Sequence, residues 1–115
     1  MPIAKVSKKQ AVINRKVAAC LQERLVEFDG RCTGCGSPYN LTASHIIRRS
    51  KRPDLITEKD NIKPHCIRCH DKWDSGNILI MCDLLDFEDN MRYIKAVDPL
   101  LFNRFHEKLK SISIP

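Results

Sequence analysis

Long apolar runs are missing from this chain. No uninterrupted one exceeds five residues, the length of Ile78 to Cys82, which is far too short to span a bilayer, and the opening "MPIAKVSKKQ" lacks the apolar central stretch of a signal peptide. A cytoplasmic protein with no membrane partner is the expectation that follows. Internal repeats and low-complexity linkers are absent too, and 115 residues are too few for two ordinary cores. We therefore expect a single domain over residues 1–115, with one small core that needs reinforcement. Cysteine and histidine are scarce, six and four residues, yet two of each crowd into "NIKPHCIRCHDKWDSGN", Asn61 to Asn77, beside a tryptophan and two aspartates. A sequence that needed only a core would not collect its most reactive side chains in one short segment.

The net charge of +6 hides an asymmetry. Residues 1–52 hold eleven basic and three acidic side chains, +8, whereas residues 53–115 hold nine and eleven, −2. The run "RRSKR", with Arg48, Arg49, Lys51 and Arg52, suggests a polyanionic partner, because each neutralised phosphate releases counterions. A solvated charged face is the plainer alternative.

Caps and periodicity give a coarse organisation. Ser7 followed by Gln10 has the form of a capping box, and Ile13, Val17, Leu21, Leu25 and Phe28 recur at helical spacing until Asp29 and Gly30, which predicts a helix over 8–28. "NLTASHII" alternates as a strand, with Leu41, Ala43, His45 and Ile47 on one side. A short helix starts around Cys66 and Cys69 and stops at Gly76. "ILIMCDLLDFEDNMRYIKAV" reads as helical with undefined boundaries. Asp98 and Pro99 start a last helix carrying Leu101, Phe105 and Leu109.

Cys32, Cys35, Cys66 and Cys69 form two CxxC pairs with thirty residues between them. Each pair presents two thiolates on one tight turn, and two such turns together make a tetrahedral cage about 2.3 Å from a zinc ion. Gly34 and Gly36 suit a knuckle whose amides point at sulfur. In a reducing compartment this spacing signals metal ligation more than disulfides, and a thioredoxin-like motif would need one CxxC in a βαβ context that is lacking here. Four thiolates leave no position for a reactive water, so this zinc is scaffold. It draws His45, Asn61 and His70 into one neighbourhood. Cys20 and Cys82 have no partner at such spacing and are expected to be core thiols.

These residues resemble a family. A CxxC pair, a histidine ending a strand ("SHI"), an asparagine some fifteen residues later ("DNI") and a second pair closed by histidine ("CIRCH") are similar to the HNH endonucleases over about residues 31–77. The resemblance implies an α+β fold with a zinc-stapled ββα-metal core, flanked by the helix at 8–28 and a helical part at 78–115. More narrowly, "CTGCG", "SHIIRR" and "DNIKPHCIRCHDKWDSGN" resemble the NinG (Rap) recombination nucleases of lambdoid phages. That likeness implies cleavage of branched DNA in the manner of a Holliday-junction resolvase, and a homodimer whose apolar helix faces (Ile13, Val17, Leu21; Leu101, Phe105, Leu109) are candidate contacts.

Phosphodiester hydrolysis needs a deprotonated water in line with the bond, neutralised phosphorus oxygens and help for the leaving 3′ oxygen. A histidine titrating near neutrality suits the first task. The resemblance assigns that role to His45, the holding of its loop to Asn61, and part of a magnesium or manganese site to His70. It also implies 5′-phosphate and 3′-hydroxyl products. Many HNH enzymes carry Asp or His just before the base histidine, where this chain has Ser44. Asp74, one helical turn beyond His70, is the candidate replacement ligand. His65 is a rival for metal or phosphate contact, and Trp73 reads as a packing anchor ahead of a base-stacking platform. Arg48, Arg49, Lys51 and Arg52 are expected to grip the DNA backbone. Two other readings stay open: a nicking or homing-type nuclease on linear duplex, and a non-catalytic zinc module that binds nucleic acid.

Overall fold

The computed structural model describes residues 7–112; the opening residues 1–6 and the last three of the expected helical part 78–115 lie outside the described residues. Ser7 caps the first helix as its sequence requires, its hydroxyl accepting from the Gln10 amide at 3.1 Å. The Gln10 side chain turns to Asn14 at 2.9 Å and does not complete the reciprocal half of a capping box. Helix α1 covers Lys8–Glu27. It ends where Asp29 and Gly30 take φ of 56° and 66°, which lets the Gly30 amide reach the Leu25 carbonyl at 2.7 Å.

Two strands follow, β1 (Leu41–His45) and β2 (Ile62–Cys66), paired antiparallel with Leu41 opposite Cys66 and His45 opposite Ile62. The expected strand thus stops two residues early. Ser44, His45, Ile46 and Ile47 are all buried, so burial at this end of the strand does not follow the expected alternation. Ile46 N still donates to the Asn61 carbonyl at 2.8 Å, in register with the ladder, but the Asn61 amide turns to Glu58 O at 3.0 Å and the Ile47 amide goes to the Asn61 side-chain oxygen at 2.8 Å, so the pairing ends there. Helix α2 (Ile67–Asp74) leaves β2 without a loop and stops at Gly76, φ 68°. The unit is ββα, as expected.

The helices on either side hold this unit in place. Arg24 on α1 donates its Nε–H to the Ile62 carbonyl at 2.8 Å and lies 4.9 Å over the Phe28 ring, fixing α1 to the start of β2. Trp73 on α2 is 3% exposed, donates its indole N–H to Ile46 O at 3.0 Å and meets Phe87 edge-on, so it is the packing anchor. The stretch 78–97 is two helices, α3 (Ile78–Met81) and α4 (Phe87–Val97), followed by α5 (Pro99–Ile112). A break separates α3 from α4 because Leu85 N donates to Gly34 O at 2.9 Å, while the Asp86 carboxylate is drawn under Thr33 and His65. Leu101, Phe105 and Leu109 pack on the central cluster and Val17 is buried, so packing within the chain accounts for most of the faces named for a dimer.

Cys82 differs from expectation. It is exposed on the turn after α3, whereas Cys20 is half-buried with its thiol 3.5 Å from the Thr57 carbonyl. Of the apolar run 78–82 only Ile78 and Met81 are buried; Cys82 lies past the end of α3, as its C-cap, and faces solvent as Leu79 and Ile80 do.

Candidate active site and metal centre

The two knuckles meet. Sγ atoms of Cys32, Cys35, Cys66 and Cys69 all lie within 4.8 Å of one another, and those of Cys35 and Cys66 are 3.7 Å apart. Sulfurs of a tetrahedral zinc site with bonds of about 2.3 Å stand about 3.8 Å apart, so the cage fits that ion. Backbone supports the geometry: Gly34 N lies 3.3 Å from Cys32 Sγ and Gly36 N donates to Cys32 O at 2.8 Å. Gly34 also has no room for a side chain, since a Cβ there would meet Cys69 Sγ at 2.9 Å. Burial pushes the Cys66 thiol up, but the Cys69 amide and the adjoining thiols outweigh it and bring it down to about 7. Burial and the same neighbours push the Cys69 thiol up. Several thiolates crowded this closely need a cation among them. The four cysteines are positioned to bind a metal such as zinc.

His45 ends β1 at 7% exposure, with Nε2 2.9 Å from the Ile56 carbonyl. A carbonyl only accepts, so Nε2 carries the proton and Nδ1 of the neutral ring keeps its electron pair. Burial lowers the His45 pKa most, opposed by the Ile56 hydrogen bond and reinforced by the charge of Arg49, so it lies below the usual 6.5. Asn61 is wholly buried. Its amide donates to Ile47 O at 3.1 Å and Leu55 O at 3.2 Å, and its oxygen accepts from Ile47 N at 2.8 Å. Both ends of the loop 47–55 are therefore tied to one side chain. The next residue, Ile56, holds the His45 ring, so Asn61 acts on the site through the loop.

His70 and Asp74 stand one turn apart on α2, with Nε2 and Oδ2 3.1 Å from each other. Across the ring, His70 Nδ1 is 2.7 Å from Thr42 Oγ1, which donates its only proton to His65 O at 2.8 Å. The Thr42 oxygen therefore accepts, and Nδ1 bears hydrogen. In a neutral His70 the Nε2 electron pair then faces a carboxylate oxygen, an arrangement that calls for a positive charge at that point: a second proton or a cation. One imidazole nitrogen and one carboxylate suit a divalent ion. His45, His70 and Asp74 line a single open groove of about 600 Å³ with Ala43, Arg48, Arg49 and Ser50. Ser44 is not among its walls; its hydroxyl is buried without a hydrogen-bond partner, so the residue that departs from the HNH pattern lies off the groove.

The basic run divides. Arg48 and Arg49 line the groove, and Lys51 lines a second cavity that Arg48 also borders. Arg52 turns away to Asp54, at 2.7 and 2.9 Å, and to Asp98 at 3.2 Å. His65 is buried, with Nε2 2.8 Å from Asp86 Oδ2, the oxygen that also accepts from Thr33 at 2.6 Å. It braces the first knuckle against β2 and is out of reach of metal or phosphate. Sequence reasoning missed three contributors: Thr42, the Ile56 carbonyl and Asp86. Only Asp86 left a trace, an acidic residue inside an apolar stretch, "LLDFE".

Neither curated proteins nor solved structures give a match to this chain. A family model does: residues 32–75 match the HNH endonuclease family, from the first knuckle cysteine to the residue after Asp74. The matched segment carries the cysteine cage, His45, Asn61, His70 and Asp74, and its similarity to the HNH endonucleases supports nuclease action on nucleic acid.

Proposed function

We propose that this chain is a divalent-cation-dependent DNA endonuclease in which His45 is the general base, and that a zinc ion in the cysteine cage is structural. One observation carries the reading: a single groove holds a neutral histidine with a free Nδ1 opposite a His70–Asp74 pair that calls for positive charge. Water entering between them gives its proton to His45 Nδ1 as it attacks phosphorus. The Nε2–H bond to Ile56 O keeps the ring oriented throughout, and Asp74 favours the imidazolium that forms. Arg48 and Arg49 hold the phosphate oxygens. Magnesium or manganese held by His70 Nε2 and Asp74 would supply charge neutralisation at the scissile phosphate and the leaving oxygen. The products are then a 5′-phosphate and a 3′-hydroxyl.

The finer reading, branched DNA cut during phage recombination by a dimer, rests on the NinG-like sequence resemblance alone. Incubating the protein with linear duplex, single strand and a four-way junction, with and without magnesium or manganese, tests it: paired symmetric nicks in the junction support a resolvase, and equal nicking of linear duplex rejects it. His45→Ala decides between enzyme and binding module. It should lose cleavage by about 10²- to 10⁴-fold while keeping zinc and DNA binding. His70→Ala should shift the divalent-metal titration to higher concentration. Parental cleavage by His45→Ala would leave a non-catalytic nucleic-acid module.

A further inference from the structure

Beyond the groove, Arg48 borders a second cavity of about 630 Å³ between α2, α3 and α5. Its walls combine two chemistries. Ile46, Ile47, Trp73 and Met81, all 4% exposed or less, and the half-buried Leu101 and Phe105 make an apolar floor. Arg48, Lys51, Arg104 and Lys108 stand at the same cavity with one acid, Glu107. Among the described residues these four cations, like Arg49 in the adjoining groove, form no ion pair, whereas Arg52 of the same basic run is paired with Asp54 and Asp98. Lys108 Nζ instead lies 5.8 Å over the Phe105 ring. The volume falls within the roughly 300–1,000 Å³ of ligand-sized pockets. A groove for backbone alone would have no need of the apolar floor.

We propose that this cavity receives one unstacked nucleotide of the substrate strand, its base against Met81, Leu101 and Phe105 and its phosphate among Arg48, Lys51, Arg104 and Lys108. The occupant follows from charge and continuity. Arg48 belongs to both cavities, so a strand with its scissile phosphate beside His45 passes Arg48 directly into the second one. The inference rests on the nuclease reading and refines its substrate: DNA that is single-stranded, or readily unpaired, next to the cut.

The test uses the full chain loaded with zinc and no magnesium or manganese, so that binding is read without cleavage. Single-stranded oligonucleotides carry 2-aminopurine at successive positions, and Arg104→Ala/Lys108→Ala is compared with the parent; both residues are exposed, so the fold persists. Parent protein should raise 2-aminopurine fluorescence at one position beside the cleavage site, mark of an unstacked base. The double variant should abolish that rise, weaken single-strand binding and flatten the log–log salt dependence by about 1.4, at about 0.7 per lost phosphate contact. With metal restored, KM should rise while kcat holds, since the chemistry at His45 is untouched. Unchanged affinity and salt slope in the double variant overturn the proposal even if the parent cuts DNA. A flattened slope with no fluorescence change at any position overturns the base pocket. A parent that binds no nucleic acid overturns the nuclease reading and this refinement together.

Discussion

Removing the Asn61 side chain should damage stability and catalysis by one route. Asn61→Ala deletes three hydrogen bonds, of 2.8, 3.1 and 3.2 Å, and leaves Ile47 N–H and the carbonyls of Ile47 and Leu55 without that partner. At about 1 kcal/mol net per bond the loss is about 3 kcal/mol, and it rises if the Ile47 N–H stays dry, because a buried orphan donor costs about 1–3 kcal/mol. The cleavage rate should fall as well, since the loop that ends at Ile56 no longer aims His45. Trp73 is the only tryptophan and bonds Ile46 O, one residue from the severed Ile47 contact, so its fluorescence reports unfolding where the change is made. Urea titration at fixed excess zinc gives the free energy, and cleavage at saturating DNA gives kcat. Asn61→Asp tests the donor edge by itself: it keeps shape and the acceptor for Ile47 N but turns its donor edge into an oxygen facing two carbonyls. We expect it to unfold nearly as readily as the alanine variant. A stability loss below about 1 kcal/mol together with parental kcat for Asn61→Ala would show that Asn61 does not strut this loop.

Freshly purified protein should contain about one zinc per chain, and Cys66→Ser should lose it and unfold, because a core this small depends on the binding energy of such a site; elemental analysis and circular dichroism read both, and a folded, zinc-free parent refutes the cage. Gly34→Ala places a Cβ 2.9 Å from Cys69 Sγ, so it should weaken zinc retention against a chelator by at least tenfold, whereas Gly36→Ala, with open space at its Cβ, should act only through its φ of 83°. His45 binds its proton less readily in the folded protein than in the unfolded chain. Its contribution to stability is therefore complete above pH 6.5 and is lost as pH falls through the lowered folded value. The acid limb of kcat/KM should likewise have its midpoint below pH 6.5; a midpoint above 6.5 would contradict the burial of His45.

Much of the cage was legible in the sequence because CxxC is a local device: two cysteines three apart share a turn whatever surrounds them, and only the meeting of the two turns needed the fold. Helix α1 was legible for the same reason, its cap at Ser7 and its exit at Asp29 and Gly30 being set by neighbours in the chain. So was the i, i+4 relation that puts His70 and Asp74 on one face of α2. Long-range contacts decided the rest. The strand ends after His45 because the side chain of Asn61, fourteen positions on, takes the Ile47 amide while the Asn61 amide turns to Glu58 O. The helical stretch after Ile78 breaks because Gly34 and Thr33 hold Leu85 and Asp86. Arg52 belongs by sequence to the basic run, yet Asp98, forty-six positions on, helps turn it from the groove. The ring chemistry was least visible of all: the free nitrogen of His45 is set by a backbone carbonyl, Ile56 O, and that of His70 by a threonine proton directed at His65 O. Backbone carbonyls are the same at every residue. Residue type and spacing therefore named the candidate side chains, and the tertiary fold alone decided which ring nitrogen of each one keeps its electron pair.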